Sequence, residues 1–111
     1  MSPNEAKGLK VCQGKLDWEL LPDEVLKECI KGLMDGNLKY ERDNWKLQDG
    51  EVQRDYRNAA KRHIAADKAG EVYIPDPKGD IEVRHLASAI NSLMIMMWHQ
   101  MKEEKSNSEV A

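Results

Sequence analysis

Asp80–Met101, DIEVRHLASAINSLMIMMWHQM, decides the fold of this 111-residue chain. Its apolar residues, Ile81, Val83, Leu86, Ala87, Ile90, Leu93, Met94, Met97, Trp98 and Met101, recur at steps of three and four. That is the period of one face of an α-helix, where a half-buried strand would alternate in twos. The spacing predicts a helix over 81–101. A second stripe, Glu82, His85, Ala89 and Ser92, is spaced 3, 4 and 3. It puts a carboxylate, an imidazole and a hydroxyl on one side with small residues between them. Helical bundles build sites from such stripes, although Glu82 equally suits the positive end of the helix dipole and His85 a boundary position.

Working outward, the chain reads as all-α. It has no Phe and few alternating Val, Ile and Thr runs, the side chains that half-buried strands draw on. Pro22 opens a helix over 22–40, with Asp23 and Glu24 complementing the dipole in its first turn. Val25, Leu26, Cys29, Ile30, Leu33, Asn37 and Tyr40 form one face; Glu24, Glu28, Lys31 and Asp35 form the opposite, solvated one, whose spacing is also compatible with a metal. Gly32 and Gly36 within it each cost roughly 1 kcal/mol relative to Ala, which calls for a close helix crossing or a bend. A third helix, over 53–69, is rich in alanine and stops at Gly70. On it Asp55, Asn58 and Arg62 share one side, and His63 and Asp67 another.

The expected architecture is a small bundle of these three helices around Trp18, Leu26, Ile30, Leu33, Ile90, Leu93, Met94 and Trp98. Residues 1–13 read as a flexible arm, 14–102 as one domain and 103–111 as a polar, fraying tail. Met94, Met96, Met97 and Trp98 exceed what one shallow core would cover, so a homo-oligomer paired through the last helix is expected, dimer or tetramer.

Charge excludes some functions. Seventeen Lys and Arg against twenty Asp and Glu leave a net charge of −3, with no broad basic face for nucleic acid. Cys12 and Cys29 have no CxxC pairing and no His at zinc spacing, so reduced thiols in a cytoplasmic protein are expected. No apolar run approaches the roughly 18 residues of a membrane span, and the N-terminus lacks the apolar core of a signal peptide.

Two polar segments remain for chemistry. In the loop expected over Tyr40–Gln53 and just before it, Lys39, Tyr40, Arg42, Asn44, Trp45 and Lys46 combine cations, an amide and flat rings. That set suits a nucleotide base and its phosphates, as it would suit a loop whose Trp45 plugs the core. The connector GEVYIPDPKGD brings Glu71, Asp76, Asp80 and Glu82 into twelve residues between two helices. Such oxygens suit Mg²⁺, with Mn²⁺ as a substitute. With no P-loop, no Ser nucleophile elbow and no paired zinc ligands, metal-assisted attack of water on a phosphate ester fits better than covalent catalysis. Lys39, Arg57, Lys61 and Arg62 would offset charge on the phosphoryl oxygens, and Glu71 or His63 would orient or deprotonate the water.

The order GKLDWELLP, GNLKYERDNW, YRNAAKRHIAADKAGE, an Asp-Pro-Gly connector and HLASAINSLMIM resembles the small phage-associated dATP/dGTP diphosphohydrolase-like family. The resemblance spans about Gly14 to Trp98 and is similar, more remotely, to the all-α MazG-like nucleoside triphosphate pyrophosphatases. It implies an α-helical, Mg²⁺-dependent hydrolase that cleaves a purine dNTP to the monophosphate and pyrophosphate. The matching positions are Lys39, Tyr40, Asn44 and Trp45, then Arg62 and His63, then Glu71 and Asp76, then His85. Lys78 and Ser88 stand where many members carry a Glu and a second His. The rival reading is a non-catalytic phage or bacterial helical module that keeps the fold to bind a protein or a nucleotide.

Overall fold

The computed structural model describes residues 14–38, 41–48 and 52–110. Its helices are α1 (Asp23–Asn37), α2 (Val52–Lys68) and α3 (His85–Val110), with short 3-10 turns at Trp18–Leu20 and Asn44–Leu47. α1 and α2 both pack principally on α3. The all-α expectation holds. Among the described residues the only extended pairing is a single antiparallel bridge, Tyr73 to Arg84, within the connector.

Local chemistry sets the element ends. α2 closes as a Schellman turn: Gly70, at a φ of +101°, donates its N–H to the Asp67 carbonyl, and Glu71 donates to the Ala66 carbonyl. Glycine adopts that left-handed backbone at no steric cost. The chain then runs back along the start of α3. Ile74 donates to the Val83 carbonyl at 2.8 Å, and His85 donates to the Val72 carbonyl at 2.9 Å. Those pairings commit the backbone of residues 81–84 to the connector, so α3 begins at His85 and not at Ile81. Glu82 therefore stands ahead of the helix instead of on a helical stripe with His85. At the other end, nothing from His85 onward breaks a helix, and α3 runs through the polar tail to Val110 where fraying was expected.

The core is a correction to the sequence reading. Cys29, Val52, Ala60, Val83, Ala87, Ala89, Ile95 and Met96 are buried, together with the polar His85, Asn91 and Ser92. Trp18, Leu26, Ile30, Ile90, Leu93 and Met94, expected inside, are exposed, and Leu33 and Trp98 are half-buried. The cause is the way the helices meet. α3 turns its small and polar side to its neighbours, which lets backbones approach closely. At the crossing with α1 a Cβ on Gly32 would stand 2.8 Å from the Asn91 amide nitrogen, and that nitrogen donates to the Cys29 carbonyl at 2.8 Å.

α1 is likewise held by its charged stripe. Glu28 pairs with Arg84 at 3.1 Å and Lys31 at 2.8 Å, and Asp35 accepts from the Gly79 N–H at 3.0 Å. The lysine and arginine bonds draw the Glu28 carboxyl below its ordinary range. Cys29 is a free, buried thiol whose pKa burial pushes up, with Glu28 adding to the effect. The arm, Cys12, and Lys39 and Tyr40 lie outside the described residues.

Candidate functional site

A cavity of about 870 Å³ opens between α1, the 41–48 segment, α2 and α3. α1 contributes an apolar wall, Ile30, Leu33 and Met34, that ends in Gly36 and Asn37. Unlike Gly32, Gly36 has nothing within 4 Å of where a Cβ would sit. It keeps a stretch of helix backbone bare at the cavity wall without serving the packing.

Across from it the Asn44–Leu47 turn is entered through Asp43 in the left-handed region, at a φ of 60°. Arg42, Asn44 and Trp45 of this segment line the cavity. Trp45 is fixed from behind. Its ring meets Trp98 edge-on at 5.2 Å, its carbonyl accepts from His99 Nε2 at 2.8 Å, and the Lys46 ammonium lies 5.3 Å from its ring centre. Cations and a T-shaped partner of this kind hold an aromatic ring in place.

The third wall carries a hydrogen-bonded chain. Glu71 Oε1 lies 2.7 Å from His85 Nε2, and His85 Nδ1 lies 2.8 Å from His63 Nδ1. An ionised Glu71 is an acceptor only, so His85 donates through Nε2–H and must accept at Nδ1. His63 then donates through Nδ1–H, which leaves its Nε2 with a free lone pair. The hydrogen-bond network fixes this tautomer assignment. His63 lines the cavity, whereas His85 is 6% exposed and spends both ring nitrogens inside the chain. Burial first, then His85 and Arg62, lowers the His63 pKa from its ordinary 6.5, so its ring stays neutral near pH 7.

The structure thus joins three of the expected site residues, Glu71, His85 and His63, in one line, and sets Asn44 and Trp45 on the same cavity. His85, expected to contact substrate, is buried and hydrogen-bonded to both Glu71 and His63. Arg62 is exposed and acts electrostatically on His63. Asp76, at a φ of 54°, Asp80 and Glu82 are exposed on the connector. Among the described residues no three His, Cys, Asp or Glu side chains gather to hold a metal ion. Arg42 lines the cavity as well, a residue the sequence reading weighed only as one of a loop cluster. Ser92, marked on the stripe with His85, lines the cavity too; Asn91 and Tyr56 were missed, although Asn91 follows Ser88 at helical spacing.

The helical cleft thus carries a fixed indole on one side and a carboxylate-oriented histidine pair on another. The family model described as dATP/dGTP diphosphohydrolase, N-terminal, matches residues 5–109, and the chain belongs to that family. No curated protein and no solved structure matches the chain at a significant level. No helix among the described residues is long and apolar enough to cross a membrane.

Proposed function

We propose that this chain hydrolyses a purine dNTP between its α- and β-phosphates, giving the dNMP and pyrophosphate. The observation that carries the reading is the Glu71–His85–His63 chain ending on the cavity, supported by membership of the diphosphohydrolase family. His63 Nε2 takes a proton from water as the water oxygen bonds to the α-phosphorus. The bond from that phosphorus to the bridging oxygen breaks, and pyrophosphate leaves with the electron pair. Glu71, through His85, stabilises the cationic pair that forms, the role a carboxylate plays behind any catalytic imidazole. Arg42 and Arg62, with Lys39 from the sequence expectation, offset charge on the phosphoryl oxygens. Trp45 supplies a flat surface for the base.

A divalent ion, Mg²⁺ or Mn²⁺ in its place, remains part of the proposal; it would supply further charge neutralisation on the triphosphate. The active unit is a homo-oligomer. Leu86, Ile90, Leu93, Met94, Met97 and Met101 make one exposed apolar strip along α3, and water-exposed strips of this size are buried by association.

Pyrophosphate release from the four dNTPs and four NTPs, with Mg²⁺ and with EDTA, tests the reading. Release from dGTP or dATP that His63→Ala suppresses supports it. No release by folded, associated protein moves the reading to a nucleotide-binding or protein-binding module, with Lys78 and Ser88 as the first residues to revert.

A further inference from the structure

Among the described residues, one side chain that lines the cavity carries a buried polar atom with no hydrogen-bond partner. Asn91 lines it and is 6% exposed; its Nδ2 donates to the Cys29 carbonyl at 2.8 Å, and its Oδ1 is buried without a partner. The amide has no freedom to exchange its two ends. A carbonyl is an acceptor only, so Nδ2 must face Cys29, and the glycine at position 32 makes the room in which the amide lies. Oδ1 is therefore an acceptor of fixed orientation. Buried groups of this kind are rare in folded proteins, and leaving one unpaired is costly.

What would pair with it must carry a proton on nitrogen or oxygen. Phosphate oxygens have none at neutral pH and would be repelled. The remaining walls decide which part of a nucleotide lies near Asn91. Gly36 leaves helix backbone bare and Trp45 offers a braced ring, two flat surfaces suited to a planar heterocycle. We infer that Asn91 is a specificity-determining residue whose Oδ1 accepts a hydrogen bond from an amino group on the edge of a purine held between Gly36 and Trp45. The inference rests on the nucleotide reading above and names how that site selects its base. Oδ1 is shielded from water in the free protein, so base entry and a small shift of the α1–α3 crossing accompany each other.

The test uses the intact chain and αβ-imido nucleotides, which bind without being cleaved, with affinity read by calorimetry. The pairs are the dGTP and dITP analogues, which differ by the 2-amino group, and the dATP and 2′-deoxypurine riboside triphosphate analogues, which differ by the 6-amino group. A dideoxy analogue removes the 3′-hydroxyl. In the unmodified protein, loss of one amino group is expected to weaken binding by roughly tenfold or more. In Asn91→Ala and Asn91→Leu that difference should vanish while binding of the amino-free analogue changes little. Equal affinities within both pairs, or a loss that follows the 3′-hydroxyl, overturns the assignment. Because the first comparison leaves the protein unaltered, it stands even where the variants fail to fold. Discrimination in binding without any hydrolysis of natural dNTPs would uphold Asn91 and overturn the catalytic reading. No binding of any purine nucleotide would overturn both.

Discussion

The two sides of α3 are made of different material. The inner side is buried and, apart from Ile95 and Met96, made of the small or polar His85, Ala87, Ala89, Asn91 and Ser92; the outer side, Leu86, Ile90, Leu93, Met94, Met97 and Met101, is large, apolar and exposed. An isolated domain would be expected to have them the other way round. The difference separates two tasks. Close approach of α1 and α2 needs small residues and fixed polar groups, and these build the cavity; the large residues face outward, where the proposed association would cover them. Substitutions on the two sides should then fail in different ways.

The largest effect is expected at the end of the inner polar chain. His63→Ala should lower kcat by roughly 10²–10⁴-fold, the span of a general base, with the circular dichroism spectrum unchanged. Glu71→Gln should keep the fold and cost less, because the imidazole pair stays in place without its anion. On the outer side, a double change such as Ile90→Glu with Leu93→Glu should leave the helical content intact and shift the mass measured by light scattering to that of a single chain. A large loss of helix instead would mean that the outer side belongs to the protomer's own core.

Glycines sharpen the comparison at smaller magnitude. Gly32→Ala should destabilise by about 1–3 kcal/mol, because its Cβ would press on the Asn91 amide at the crossing. Gly36→Ala should raise stability by up to about 1 kcal/mol, since its Cβ meets nothing, yet raise KM by filling the bare wall. Urea melts beside steady-state kinetics would separate the two. An increase in stability with an unchanged KM would remove Gly36 from the site.

The smallest expected effect is on pH. The folded His63 pKa is below 6.5, so between that value and 6.5 the unfolded chain binds more protons and stability rises with pH. The contribution is fully present above 6.5 and is lost as pH falls through the folded value. The acid limb of kcat/KM should likewise fall below pH 6.5, and in Arg62→Gln it should move upward, because the arginine's repulsion of the imidazolium is gone.

Much of this was legible in the sequence, for physical reasons that can be named. Helical periodicity located all three helices, and Gly70 marked the end of α2 because only a left-handed residue closes it so tightly. The start of α3 was not legible. The pattern from Ile81 onward suits a helix, but the pairing of Ile74 with Val83 is a choice made by the connector folding back on itself, which periodicity does not report. The core was misread for the same kind of reason. Periodicity shows that a helix has an apolar stripe, not which neighbour covers it, and here α1 meets the connector through Glu28 and Asp35. Crowding of Glu71, Asp76, Asp80 and Glu82 in sequence did not show how the connector would distribute them: Glu71 meets His85, and the other three are exposed. His63 and His85 were both marked, but their mutual contact required the connector's path.

That path has a further consequence for how the site comes into being. His63 and His85 are 22 residues apart and Glu71 and His85 are 14 apart, so the proton chain is assembled by one helix, one turn and the start of the next. The Asn91 contact with Cys29, by contrast, closes a loop of 62 residues. Short loops close at smaller entropic cost than long ones. The α2–α3 hairpin can therefore order first with its histidines already paired, and α1 completes the cleft by folding over a chemical centre that is in place before it arrives.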